Sequence, residues 1–210
     1  MQDYSLARRA MVDSQLRPEA VTDRGVLAAM ASVERERFVP ESAKALAYFD
    51  RPLRLSGGRA MMPPAALGRL LSELAPRTGE RALVVGSGTG YAAALLKAIG
   101  VETFALESDE GLARAAREAG VETVVGDLAA GWAKDAPYDI VLLDGAVEEV
   151  PGDLLKQLTE NGRLAGAIAD RGVTRLVVGR VAGGSLGLRS LADADVAVLP
   201  GFSRPRAFNF

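Results

Sequence analysis

Apolar residues follow two patterns along this chain, and the pattern changes near residue 80. Residues 3 to 47 read as helices. In "DRGVLAAMASV" the positions Val26, Leu27, Met30 and Val33 fall on one helical face, with Thr22 or Asp23 placed to cap it. "ERERFVPESAKALAYFD" breaks at Pro40, and Glu41 to Ala47 can restart a short helix. "RPLRLSGGRAMMPP" is punctuated by Pro52, Gly57, Gly58, Pro63 and Pro64, so it reads as loop with a short strand at Leu53 to Leu55. "AALGRLLSELA" returns to helical spacing through Leu67, Leu70, Leu71 and Leu74.

From residue 80 short apolar runs alternate with helical segments. "RALVV" stops at glycine and reads as a buried strand, and "YAAALLKAIG" as a helix ending at Gly100. "ETFALE" (strand), "DEGLARAAREAG" (helix closed by Gly120), "VETVVGD" (strand) and "YDIVLLDGA" (strand) follow. "GDLLKQLTENG" is expected as a helix closed by Gly162, and "RLAGAIA", "TRLVVGRVA" and "DADVAVLP" as strands. Strand–helix alternation with fully apolar strands predicts an α/β fold, a parallel sheet with helices on both faces. The late strands have little helix between them, so that edge is expected to be partly antiparallel. The echo of "GVETFALES" and "GVETVVGDL" is two successive strand entrances in one sheet, because nothing else recurs at that period. The expected organisation is a single domain over 1–210, with helices and a loop over the active site in 1–75 and the α/β core in 76–210.

Composition narrows the chemistry. The 210 residues include no cysteine and no histidine, so disulfides, thiolate metal sites and cysteine or histidine catalysis are excluded. The formal net charge is −2, which gives no basic excess for nucleic acid or an anionic membrane. The opening residues carry no secretory pattern and no apolar run reaches the ~20 residues that span a bilayer. The cytoplasm is the expected location.

The sharpest motif is "LVVGSGTGY", residues 83 to 91. Gly86, Gly88 and Gly90 follow a strand and open a helix, which lets the backbone turn tightly and approach a ligand. A dinucleotide fingerprint needs a sixth-position glycine, and Tyr91 stands there. No G-K-[ST] follows, so this is no phosphate-binding P-loop. Glu107 ends the next strand, where a carboxylate can accept hydrogen bonds from two ribose hydroxyls. Asp127, followed by Leu128, ends the third strand and Asp144 the fourth, all on the side where open α/β sheets bind ligands. For Asp144 alone, a solvated strand-end carboxylate is the alternative.

The G-x-G-x-G spacing resembles the first motif of class I S-adenosylmethionine methyltransferases. Other stretches are similar to the protein-L-isoaspartate O-methyltransferases: "MVDSQLRPEAVTDRGVLAAMASVERERFVP" to their opening helices, "AYFDRPLRLSGG" to their A-Y-x-D-x-P-L-P-I-G segment, and "GDLAAGWAKDAPYDIVLLDGAVEEVPGDLLKQLTENGRL" to their G-D-G-x-x-G-W stretch and its continuation. The terminal "VLPGFSRPRAFNF" fits more loosely. The resemblance implies a Rossmann-like methyltransferase fold and S-adenosylmethionine as methyl donor, held by Gly86, Ser87, Gly88, Thr89, Gly90, Tyr91, Glu107, Asp127 and Leu128. It implies methylation of the free α-carboxylate of isoaspartyl residues in damaged proteins, by a monomer.

Two departures stand out against that family. Its segment over the methyl group reads G-Q-T-I-S-Q-P, whereas residues 58–64 here read "GRAMMPP". Ala60 and Met62 occupy the two hydroxyl positions. In the glycine loop the family's acid is Val84. Arg59 is then either a partner for a substrate carboxylate or a solvated loop arginine. Met61 and Met62 either line a more apolar small-molecule acceptor site or simply pack. Asp144 is a candidate base for a hydroxyl acceptor, and no convincing ligand set for a metal accompanies it. The alternatives to a protein or peptide substrate are therefore a small-molecule acceptor, or a binding module without turnover.

Overall fold

The apolar runs beyond residue 80 pair into one seven-stranded sheet in the computed structural model, which describes residues 3–202. Its strands are β3 (Arg81–Val85), β4 (Glu102–Glu107), β5 (Thr123–Val125), β6 (Tyr138–Val147), β7 (Leu158–Asp170), β8 (Val173–Ala182) and β9 (Ser185–Asp193). A separate two-stranded ribbon pairs β1 (Leu53–Arg54) with β2 (Ala60–Met61). The large sheet runs β5-β4-β3-β6-β7-β8-β9. Its first five strands are mutually parallel, while β8 and β9 are antiparallel, as the shortage of late helices predicts. The order reverses between β3 and β6, so the carboxyl ends of those two strands frame the crevice where such sheets take ligands.

Alternation within the strands explains the two-sided burial. Val84, Ile140 and Leu142 join one apolar cluster with α3 (Pro64–Leu74), α4 (Tyr91–Ile99) and the amino-terminal helices α1 (Tyr4–Met11) and α2 (Arg24–Ser32). Leu83, Val85, Val141 and Leu143 join the cluster on the opposite face with Leu106, Leu128 and Leu154. Caps set the helix starts. The Asp23 carboxylate accepts from the Val26 amide at 2.9 Å, which makes Asp23 the cap of α2. Asp109 does the same for Leu112 at the start of α5 (Glu110–Glu118). Glu41–Leu46 forms the short restart expected after Pro40, as a 3₁₀ helix.

Two expected elements are corrected. The helix expected through "GDLLKQLTENG" is only the single turn α6 (Gly152–Leu155), and β7 begins at Leu158. The Gln157 side chain turns inward, accepting from the Trp132 amide and donating to the Ala130 and Asp153 carbonyls, while the Gln157 carbonyl accepts from the Tyr138 amide. Pairing with β6 thus outweighs continuation of the helix. The strand expected at "DADVAVLP" lies instead at Ser185–Asp193. It follows a Gly183–Gly184 turn with both residues at positive φ, a hairpin geometry that glycine pairs supply. Residues 194–200 run as a loop over the carboxyl end of β6, touching it through Ala146. The last eight residues of the "VLPGFSRPRAFNF" resemblance, 203–210, lie outside the described residues. No helix among the described residues is long and apolar enough to cross a membrane.

Candidate active site

The glycine loop leaves β3 and enters α4 as the spacing demands. Gly86, Gly88 and Gly90 have φ of 72°, 55° and 95°, a region that costs other residues strain. The Gly86 and Ser87 amides donate to the Leu106 carbonyl, which seats the loop on β4. Thr89 Oγ1 donates to the Phe38 carbonyl at 2.6 Å, tying the loop to the amino-terminal segment.

Glu107 sits beneath this loop, fully buried, and its carboxylate is already surrounded by donors. Oε2 accepts from the Gly88 amide at 2.7 Å, and Oε1 from the Ser108 and Asp109 amides at 2.7 and 3.1 Å. Oε1 also takes Arg59 Nη1 at 2.7 Å, and Arg59 Nη2 reaches the Gly86 carbonyl at 2.7 Å. Arg59 is only 5 % exposed. It is therefore not a solvated loop arginine: it lies in the cradle, bridging the glycine loop and the acid. A buried charge needs such a partner, and the fork of the guanidinium meets both acceptors at once.

Asp144 lies within β6, not at its end as expected, in the stretch between Leu142 and Ala146 where the pairing with β7 shifts register, and it is partly buried rather than solvated. Burial pushes its carboxyl up to about 7, against the pull of Arg59 and Arg35 and with a smaller push from Glu107. Arg35, which the sequence reading did not single out, is wholly buried next to it. Its Nε donates to the Ala47 carbonyl at 2.8 Å and its Nη2 to the Met62 carbonyl at 2.6 Å. One guanidinium thus pins both ends of the segment that carries Arg59. The same group lies 4.7 Å from the centroid of the Tyr91 ring. Arg35 Nη1, Ser87 Oγ and Tyr91 Oη are buried without a close hydrogen bond, although the Arg35 and Tyr91 side chains attract each other, and belong to residues around one cavity of about 10 Å³ with Asp144. Buried polar atoms are costly unless a polar group or a water meets them.

Ala60, Met61 and Met62 close the cavity from above. Both methionines are core residues, and Met61 is locked in β2 opposite Leu53. Val84 is fully buried in the sheet between Ala105 and Leu142. Asp127 is exposed and accepts from the Ala129 amide at 2.9 Å, while Leu128 is core. A second residue the sequence reading missed, Leu199, lies over the crevice. A methyl group added at Gly86 would lie 2.7 Å from Leu199 Cδ2 and 2.9 Å from Arg59 Nη2, and one added at Gly145 would lie 2.5 Å from Leu199 Cδ2. Beside the closed cradle a cleft of about 760 Å³ is lined by Arg51, Arg54, Leu55, Arg59, Ala60 and Asp195, among others. Its charge balance favours anions.

The model of the family "Protein-L-isoaspartate(D-aspartate) O-methyltransferase (PCMT)" matches residues 7–186. The chain belongs to this family. A protein-L-isoaspartate O-methyltransferase of Methylorubrum populi is 42% identical over 164 residues, covering 75% of this chain and 77% of the relative. One of Koribacter versatilis is 34% identical over 205 residues, covering 94% and 92%. Among solved structures, a protein-L-isoaspartate O-methyltransferase superposes with a TM-score of 0.82 at 22% identity, over 92% of this chain and 66% of that one. A structure from Plasmodium falciparum described under the same enzyme name, in complex with S-adenosyl-L-homocysteine, superposes at 0.78 with 19% identity, over 95% and 99%. These last two show that the protein-L-isoaspartate O-methyltransferase fold extends over nearly all of this chain. Within that family fold, the Rossmann-like core, the glycine loop and the acid ending β4 stand where the resemblance placed them. In this chain an arginine, Arg59, lies on that acid.

Proposed function

We propose that the protein is an S-adenosylmethionine-dependent O-methyltransferase that esterifies a carboxylate of damaged protein or peptide, the isoaspartyl α-carboxylate first among candidates. The observation that carries this reading is the glycine loop Gly86–Gly90 packed over Glu107 at the switch point of the sheet, in a chain of this family. Glu107 and the loop backbone would hold the ribose and the amino-acid end of the donor, with Asp127 and Leu128 at the adenine end. The buried polar atoms of Arg35, Ser87 and Tyr91 without a close hydrogen bond support a polar guest beside the loop. In the arrangement described, however, Arg59 and Leu199 stand in the space. The residues fit the donor in kind, and the cradle fits it only when those two side chains withdraw.

The donor supplies an electrophilic methyl group. A carboxylate acceptor is already a nucleophile and needs no base, so orientation is the chain's main contribution. This suits a site whose family hydroxyl positions are Ala60 and Met62. Arg51 and Arg54 in the adjoining cleft support an anionic acceptor, better than the buried Met61 and Met62 support an apolar one. Asp144, lifted toward neutrality, is a weaker candidate for a role with a hydroxyl acceptor. The closed cradle favours one second reading, a module that binds without turnover. A monomeric cytoplasmic enzyme remains the expected form.

The test offers methyl-labelled S-adenosylmethionine with two peptides identical except for isoaspartate or aspartate at one position. Base-labile label on the isoaspartyl peptide alone supports the proposal. Label on neither, with the donor bound, turns the account to the second reading.

A further inference from the structure

The Arg59 guanidinium holds the Glu107 carboxylate that a ribose would need. The four closest donors to that carboxylate, three backbone amides and one guanidinium nitrogen, lie at 2.7 to 3.1 Å, and of these only Arg59 donates from a side chain, which can swing away while its backbone stays in place. The other side chain over the loop, Leu199, comes from the irregular stretch 194–200. Both obstacles to the cradle are thus side chains from loops, laid over a cradle whose backbone is already formed. Arg59 also sits at a boundary: it lines the 760 Å³ cleft while its guanidinium reaches through to Glu107. The cleft's other charged lining residues are Arg51, Arg54 and the exposed Asp195. A guanidinium turned into that cleft meets two like charges, and an anion placed there would relieve them.

We propose that Arg59 is an exchange gate that sets donor affinity and couples it to the acceptor: it holds Glu107 when the cradle is empty and turns into the arginine-lined cleft, toward an anionic acceptor, when an adenosyl donor takes Glu107. The inference rests on the donor reading of the same site. It predicts positive coupling between the two ligands, carried by one side chain, and by linkage the coupling is reciprocal.

The experiment is a calorimetric titration of the full chain with S-adenosyl-L-homocysteine, alone and with a saturating peptide that carries one isoaspartyl residue. In the wild type the peptide tightens nucleoside binding by about fivefold or more, the lower end of ordinary coupling. Arg59→Gln, which removes the competitor, binds the nucleoside about tenfold more tightly without peptide and responds little to it. Arg59→Lys keeps a charge but cannot span Glu107 and the Gly86 carbonyl together, so it falls between the two and serves if the glutamine variant does not fold. Nucleoside affinity unchanged or weakened in both variants overturns the gate, as does a peptide effect of wild-type size in Arg59→Gln. These outcomes leave the donor reading standing, because binding is still seen. No binding by any of the three proteins removes the donor reading and the gate with it.

Discussion

Arg59 Nη1 lies 2.7 Å from Glu107 Oε1 across 48 residues of sequence, and both side chains are buried. The pair joins the loop over the site to the acid at the end of β4. It sets a cation on the strand-end carboxylate proposed to hold the donor's ribose.

Removing the arginine should cost stability. Arg59→Ala leaves Glu107 buried with three backbone amides and the Ser108 hydroxyl but no cation, and breaking a buried pair from one side costs about 3 kcal/mol. Urea unfolding of the variant should show a loss of that order. A loss below about 0.5 kcal/mol, the range of ordinary surface substitutions, would mean that the pair is not formed in solution.

Arg35 should matter through two carbonyls at once. Arg35→Leu leaves the Ala47 and Met62 carbonyls without their donor, and each buried orphan costs about 1–3 kcal/mol. Arg35→Lys, with one ammonium, should recover only part of the loss. Hydrogen exchange should quicken at β1 and β2 in both variants. Unchanged protection there would show that the segment is held by its apolar packing instead.

Asp144 gives a pH signature. Its carboxyl is lifted from 3.8 to about 7, chiefly by burial. Between those values the folded protein keeps a proton that the unfolded chain releases. This group's contribution to stability therefore falls as pH rises through that window and stays low above it. Asp144→Asn should stabilise the protein at pH 8 by up to ~4 kcal/mol and hardly at all near pH 4. An equal effect at both pH values would contradict the raised carboxyl.

Gly86 and Leu199 should be coupled. Gly86→Ala introduces strain at positive φ and a methyl 2.7 Å from Leu199 Cδ2. Leu199→Ala costs about 2–5 kcal/mol as a large-to-small core change. The double variant should lose less than the sum of the two, by 0.5 kcal/mol or more. Strict additivity of unfolding energies would place Leu199 away from the glycine loop.

Much of this was legible in the sequence for physical reasons. Strands β3, β4 and β6 carry apolar runs that reach a glycine or an acid, and the buried part of each faces both sides of the sheet, so they read as strands of a covered parallel sheet. Glu107 was found because its position follows from strand length alone. Strand β9 was missed because it is the sheet edge and is largely exposed, so its apolar alternation is weak. The glycine pair before it was the signal available. The role of Arg59 was not legible, because a loop arginine and a strand-end acid 48 residues apart carry no local sign of meeting. Arg35 and Leu199 were hidden for the same reason: each acts through contacts with segments distant in sequence.

The most direct measurement is a crystal structure of the protein grown with S-adenosyl-L-homocysteine. The account predicts the nucleoside over the glycine loop, its ribose hydroxyls on Glu107, and Arg59 turned into the cleft with Arg51 and Arg54. Nucleoside bound over the loop with Arg59 still on Glu107 would contradict it.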